Sequence, residues 1–183
     1  MSGAEQRLCL YTDTELKPVL QRMAQQASQL FLPGRPLHVV GLLRRGEPLA
    51  RMLAERLRPL LGLTELPVIP LRVKRYADDL SLLHRDTLLE ENQALSGLEL
   101  AGTPLLLVDD VLYGGHSLLR SCAYLSRLGA DEIRTAVLVD RCVSSQPVHA
   151  DVCGVRLQIV PGDIIDCCVP PYEAEFRIEL CRR

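Results

Sequence analysis

The sequence predicts an α/β fold: a doubly wound, mostly parallel sheet flanked by helices, with a small irregular hood. Three observations predict it. Apolar runs of strand length alternate with amphipathic helix patterns, the order expected of βαβ units. Two of these runs, residues 37–43 and 105–108, pass straight into polar turns that open helices. A chain of 183 residues with 48% hydrophobic and 24% charged content suits one domain with a sizeable core. That domain is expected to span residues 1–183, its core at about 37–153 and its hood drawn from 1–12 and 154–183.

Thr12 and Glu15 form a capping box ahead of an amphipathic helix predicted to reach residue 32, where Pro33-Gly34 ends it. Residues 37–43 read as the first sheet strand, and Arg44-Arg45-Gly46 follows at once. Residues 47–61 carry Leu49, Leu53, Leu57 and Leu60 on one helical face. Residues 66–76 read as extended, because Pro67 and Pro70 exclude helix and Leu71, Val73 and Arg75 alternate with Arg72 and Lys74. Residues 78–102 are polar and aperiodic, a pattern of functional loops or disorder. The run 105–108 reads as a buried parallel strand, and Leu118, Leu119, Cys122, Leu125 and Leu128 mark the helix after it. Residues 133–139 make another strand, ending at Asp140-Arg141. Short strands are expected over 148–180, broken by Pro161-Gly162 and Pro170-Pro171. No internal repeat or low-complexity tract is visible.

Composition narrows the function classes. A net charge of −2 implies no general attraction to nucleic acid or anionic membrane. No apolar stretch is long enough to span a bilayer and no signal-peptide pattern opens the chain, so a cytoplasmic location and no membrane partner are expected. Positive charge is almost all arginine, with Lys17 and Lys74 the lysines; arginine favours bidentate recognition of phosphate and carboxylate. The seven cysteines form no C-x-x-C pair, which argues against zinc and for reduced thiols packed as small apolar residues, Cys167-Cys168 included.

The chemistry concentrates in residues 105–117. In open α/β sheets ligands bind at the carboxyl ends of strands, where Asp109 and Asp110 fall. Gly114, Gly115 and Ser117 can present backbone N–H groups and a hydroxyl at the N-terminus of the next helix, which suits a phosphate. Acids facing the hydroxyls of a sugar and amides facing its phosphate describe a site for a phosphorylated sugar. The plain alternative is an ordinary strand–turn–helix corner with solvated acids. Arg44-Arg45 likewise reads, by itself, as a basic turn.

These residues resemble the signature of the type I phosphoribosyltransferases, which bind phosphoribosyl pyrophosphate (PRPP). Within them the chain is similar to the pyrimidine operon attenuation regulators, which also have uracil phosphoribosyltransferase activity. Residues 40–50, 76–80, 108–113, 136–141 and 147–152 carry the likeness. The resemblance implies that Asp109 and Asp110 hold the ribose hydroxyls and stabilise positive charge at the anomeric carbon. It implies that Asp109, Asp110, Val111, Leu112, Tyr113, Gly114, Gly115, His116 and Ser117 bind PRPP, the 5′-phosphate lying at residues 114–117. Leu43, Arg44, Arg45 and Gly46 match a pyrophosphate loop that in this family often contains a non-proline cis peptide. Mg²⁺ is implied as cofactor, with Asp109 and Asp110 as partners mostly through water. Asp78, Asp79, His84 and Arg85 fall on the loop that closes over PRPP, although a polar linker is an equal reading of its tip. Asp140, Arg141 and Val160 fall where the base pocket begins; for Arg141 a structural ion pair is the alternative.

The implied reaction is PRPP plus a nucleobase, uracil first and a purine second, giving a nucleoside monophosphate and pyrophosphate. The alternative is a regulator that senses PRPP or nucleotides and binds RNA, and a third reading is a paralogue whose altered turn no longer binds phosphate. Family habit implies a homodimer or tetramer. The chain also departs from the family wording. Gly114 and His116 stand where the attenuation regulators have threonine and arginine, so a hydroxyl and a fixed cation are absent from the phosphate turn. Arg44 replaces a threonine and Ala77 an arginine.

Overall fold

The computed structural model describes residues 6–72, 92–95 and 97–182. Their central feature is a five-stranded, all-parallel sheet of β2 (His38–Leu42), β3 (Val68–Leu71), β4 (Leu105–Leu112), β5 (Ile133–Asp140) and β6 (Val152–Arg156), in the order β3-β2-β4-β5-β6. Helices α1 (Asp13–Ser28) and α2 (Gly46–Leu60) cover one face, and α3 (His116–Arg127) covers the other. Strands buried on both faces must be apolar throughout, and residues 105–108 are fully buried, Leu106 and Val108 towards α1 and α2, Leu105 and Leu107 towards α3.

Helix α1 starts with the expected capping box: Glu15 accepts the Thr12 backbone N–H at 2.9 Å. It ends four residues short of the expected 32. The Leu30 amide bonds Ala27 O and the chain leaves the helix there, which lets Phe31 turn into the core. Local periodicity cannot see this, because Leu30, Phe31 and Leu32 are apolar in any register. Helix α2 packs tightly on β2: a Cβ on Gly41 would lie 2.4 Å from Glu47 Cα. Bare backbone at that position lets the α2 N-terminus approach the strand.

A second, antiparallel sheet lies apart from the first, in the order β1 (Gln6–Tyr11), β8 (Arg177–Arg182), β7 (Ile164–Cys168). Ile165, Cys167, Ile178 and Leu180 join the core under α1 and α2. Strand β1 was not foreseen as a strand, since its residues are mostly exposed and its partner is at the other end of the chain. A short 3₁₀ turn, Gln93–Leu95, follows β3 in the described chain. Buried Asn92 beside it bonds Arg72 N and O and the Tyr124 hydroxyl, tying the end of β3 to α3. Among the described residues no helix is long and apolar enough to cross a membrane.

Candidate active site

The winding reverses between β2 and β4: the helix after β2 packs on one face and the helix after β4 on the other. Open sheets bind ligands in the crevice outside the carboxyl ends at such a point. Arg44 and Arg45 leave β2 here, and Asp109 to Ser117 leave β4. The two segments touch. A Cβ on Gly46 would lie 2.7 Å from Val108 O and 3.1 Å from Asp109 Cα, so only glycine lets the first loop rest on the strand. The Leu43–Arg44 peptide in that loop is cis.

Asp109 and Asp110 lie inside β4, which continues past them to Leu112, and both are half-buried. They are therefore not solvated caps. Each uses one oxygen locally: Asp109 Oδ1 accepts the Asp110 N–H and Asp110 Oδ1 accepts the Val111 N–H, both at 2.9 Å. Burial, then the charge of Asp110, pushes the Asp109 carboxyl well above the usual carboxylate range. Burial also pushes Asp110 up, against the pull of its hydrogen bonds and of Arg45. Two carboxyls that resist ionising together favour an arriving cation. Their hard oxygen donors fit Mg²⁺, and they are the residues here that would hold it, directly or through water.

Asp109 lines a cavity of about 810 Å³ together with Tyr113, residues 114–117, Arg120 and Ser145. Helix α3 starts at its rim, with Gly115 as N-cap at φ +86°. A Cβ there would also lie 2.4 Å from Ser144 Oγ and 2.7 Å from Val148 Cγ2, so glycine is required twice over. The Gly114 carbonyl is tied back by the Ser145 N–H at 3.2 Å and by the Ser144 and Ser145 hydroxyls, each at 3.3 Å.

Arg45 has a different surrounding from the one its sequence position implies. Its guanidinium donates to Asp166 Oδ1 at 2.7 Å and to Glu173 Oε1 at 3.0 and 2.5 Å, both on the antiparallel side of the molecule. The Glu173 hydrogen bond and both acids' charges hold the Arg45 pKa above its usual range, against a smaller effect of burial. Burial would raise Glu173, but the Arg45 side chain and the Val169 N–H together lower it. Arg44 stacks over the Tyr172 ring at 4.9 Å.

At the carboxyl end of β5, Asp140 Oδ1 accepts the Cys142 N–H at 2.8 Å and so shapes the left-handed turn at Cys142, φ 54°. Arg141 is only 5% exposed; its guanidinium lies 5.0 Å from the Tyr113 ring centroid and reaches Asp163 O at 3.5 Å. Its Nε is buried without a hydrogen-bond partner. Val160 stands 68% exposed on the loop beyond β6. The structure thus gathers Asp109 to Ser117 with residues 43–46, sets Arg141 against Tyr113, and leaves Asp140 as a turn-former. Asp78, Asp79, His84 and Arg85 lie outside the described residues. Sequence reasoning missed Arg120, Asp166 and Glu173. Arg120 was findable, since it is one helical turn after His116; the two acids carry no local signal. Asp166, Cys168 and Glu179 also bring donor atoms within 4.8 Å of one another, but Arg7, Arg45 and Arg177 already neutralise those acids.

This fold has known counterparts. The structure is similar to the hypoxanthine phosphoribosyltransferase of Trypanosoma cruzi, TM-score 0.69 at 17% identity, covering 95% of each chain. It is also similar to that of Staphylococcus aureus, TM-score 0.64 at 17% identity, covering 84% of this chain and 79% of the other. At such identity the likeness concerns the fold. In sequence the chain is 34% identical over 172 residues to the "Bifunctional protein PyrR" of Deinococcus radiodurans, covering 93% of this chain and 92% of that one. It is 31% identical over 167 residues to the protein of the same name from Elusimicrobium minutum, covering 91% and 92%. The model of the phosphoribosyl transferase domain matches residues 10–173, nearly everything that builds the sheet and its crevice, and the chain belongs to that family.

Proposed function

We propose that this phosphoribosyltransferase transfers the phosphoribosyl group of PRPP to uracil, forming the nucleoside 5′-monophosphate and releasing pyrophosphate. The observation that carries this reading is the cavity shared by Asp109 on β4 and the glycine turn at residues 114–117. Asp109 and Asp110 hold the ribose hydroxyls. Their fixed negative charge stabilises the oxocarbenium-like transition state as the bond from the anomeric carbon to pyrophosphate breaks and the bond to the base nitrogen forms. Residues 111–117 hold the sugar phosphate, and backbone at Leu43, Arg44, Arg45 and Gly46 faces the leaving pyrophosphate. Mg²⁺ held by the two acids through water would neutralise pyrophosphate charge. Arg141, with its buried unpaired Nε, and Val160 face the base, and Asp78, Asp79, His84 and Arg85 close over PRPP.

The preference for uracil rests on the attenuation-regulator wording of residues 108–113 and 136–141. The antiparallel sheet acts as the hood over the base, the active form is a homodimer or tetramer, and the protein works in the cytoplasm. A pyrophosphate-release assay with uracil, hypoxanthine and guanine tests the reaction. Release with uracil alone supports it; release with purines only moves the specificity, and PRPP binding without turnover on any base defeats the enzyme reading.

A second reading, a PRPP- or nucleotide-sensing regulator that binds RNA, is favoured by the likeness to relatives named bifunctional. A gel shift with pyrimidine-operon leader RNA across a salt series separates the two, since a regulator must retain sequence preference as salt rises.

A further inference from the structure

Both arginines of the loop after β2 meet one segment of the antiparallel side, residues 166–173. Arg44 stacks over Tyr172, and all three guanidinium nitrogens of Arg45 donate to Asp166 or Glu173. Nε and Nη2 of Arg45 converge on Glu173 Oε1, at 3.0 and 2.5 Å. The edge of the guanidinium that would fork two oxygens of a phosphate is therefore filled by a carboxylate. That carboxylate is fixed in place, because Glu173 Oε2 accepts the Val169 N–H at 2.8 Å. Asp166 Oδ1 accepts from Nη1 at 2.7 Å while its Oδ2 accepts from Arg7 at 3.1 Å, so Asp166 keeps a cation when Arg45 leaves. Arg45 and Asp110 also feel each other's charge, which keeps the guanidinium within electrostatic reach of the acid pair.

We propose that Glu173, backed by Asp166, is the protein's own competitor of pyrophosphate for the Arg45 guanidinium, and so sets how tightly the leaving group is held after transfer. The inference rests on the PRPP reading of this crevice, in which the backbone of residues 43–46 faces the pyrophosphate. Pyrophosphate and a carboxylate meet a guanidinium in the same way, with acceptor oxygens in its plane. With the fork filled, pyrophosphate gains Arg45 only by displacing Glu173, and its apparent affinity is reduced by the fraction of molecules in which the fork is open. As pyrophosphate departs, Glu173 retakes the guanidinium, so the cation is paired before and after the exchange. Arg7 and the Val169 N–H serve the two acids in the same way during it.

Calorimetric titration of the full chain with pyrophosphate at a fixed Mg²⁺ concentration and, separately, with ribose 5-phosphate tests the proposal. Glu173→Gln is expected to bind pyrophosphate about fivefold more tightly, the worth of a partly exposed ion pair, with ribose 5-phosphate affinity within about twofold. Asp166→Asn should give a smaller gain, about twofold, because Glu173 still fills the fork. In an Arg45→Ala background, Glu173→Gln should change pyrophosphate affinity by less than about twofold, a coupling that the mere removal of a nearby negative charge does not produce. An equal gain with and without Arg45 would assign the effect to that removed charge and overturn the proposal. Parallel loss of both ligands in Glu173→Gln and Asp166→Asn would show the acids only holding the fold together, and would overturn it as well. A wild-type protein that binds neither pyrophosphate nor PRPP overturns the PRPP reading together with it, whereas wild-type binding with no gain in either variant overturns the proposal alone.

Discussion

Asp109 and Asp110 sit side by side in β4, and burial together with the charge of Asp110 holds the Asp109 carboxyl well above its ordinary range. A carboxyl whose folded pKa is raised contributes stability that is complete at acid pH and is lost as pH rises through the folded value. At neutral pH the ligand-free fold therefore tolerates this acid at a cost, which the reaction justifies. Asp109→Asn should make the two effects visible in opposite directions. Its melting midpoint at pH 7 should rise by roughly 2–4 °C, the shift that about 1 kcal/mol gives in a domain of this size. The gain should vanish below the ordinary carboxylate pKa of about 3.9, where the wild-type acid is neutral in both states. Turnover should fall by about 100-fold or more, because the transition state loses fixed charge beside the anomeric carbon. A variant that loses activity and stability together at neutral pH would show Asp109 acting as a packing residue.

At the scale of elements, the loop after β2 is gripped from both sides. Gly46 lies on β4, and Arg45 reaches Glu173 and Asp166 at 2.5–3.0 Å. The guanidinium is thus a strut between the crevice and the antiparallel sheet, and pyrophosphate would have to compete with two carboxylates for it. The lowered pKa of Glu173 places the strut's contribution above the ordinary Glu value and removes it as pH falls through the folded value. A double-mutant cycle of Arg45→Ala and Glu173→Gln in urea unfolding should return a coupling of about 1 kcal/mol at pH 7 for this partly exposed pair. That coupling should fade well below pH 4.3, the ordinary Glu value; a coupling insensitive to pH would mean packing in place of charge. The same elements show what was legible beforehand. The strand–turn–helix at residues 105–128 was readable because every signal in it is local: an apolar run, two acids, two glycines and a helical spacing. The cis peptide followed from the wording of residues 43–46 through the family resemblance. The strut was not readable, because Arg45 and Glu173 are 128 residues apart and nothing near either names the other. Strand β1 escaped for the same reason, its register with β8 joining Gln6 to Arg182.

Over the whole molecule, the reversal of winding between β2 and β4 brings two loops and an acid pair to one crevice, and five arginines elsewhere and beside it are paired with acids. Arg7, Arg45, Arg51, Arg134 and Arg177 all have carboxylate partners. With a net charge of −2 and these five guanidinium groups neutralised by neighbours, general attraction to a polynucleotide is weak. Counterion release converts that count into a measurable slope, since log affinity falls with log salt by about 0.7 for each phosphate neutralised on a single strand. Titration of pyrimidine-operon leader RNA against a scrambled RNA of equal length, from low to physiological salt, should give a slope no steeper than about −2 and no leader preference. The same salt range should leave phosphoribosyl transfer within about twofold, because its ligand sits within a cavity where screening is weaker than at the surface. A slope near −5 with a leader preference that persists at physiological salt would require a basic face on the protein or its oligomer, and would shift the molecule's main role from catalysis to regulation.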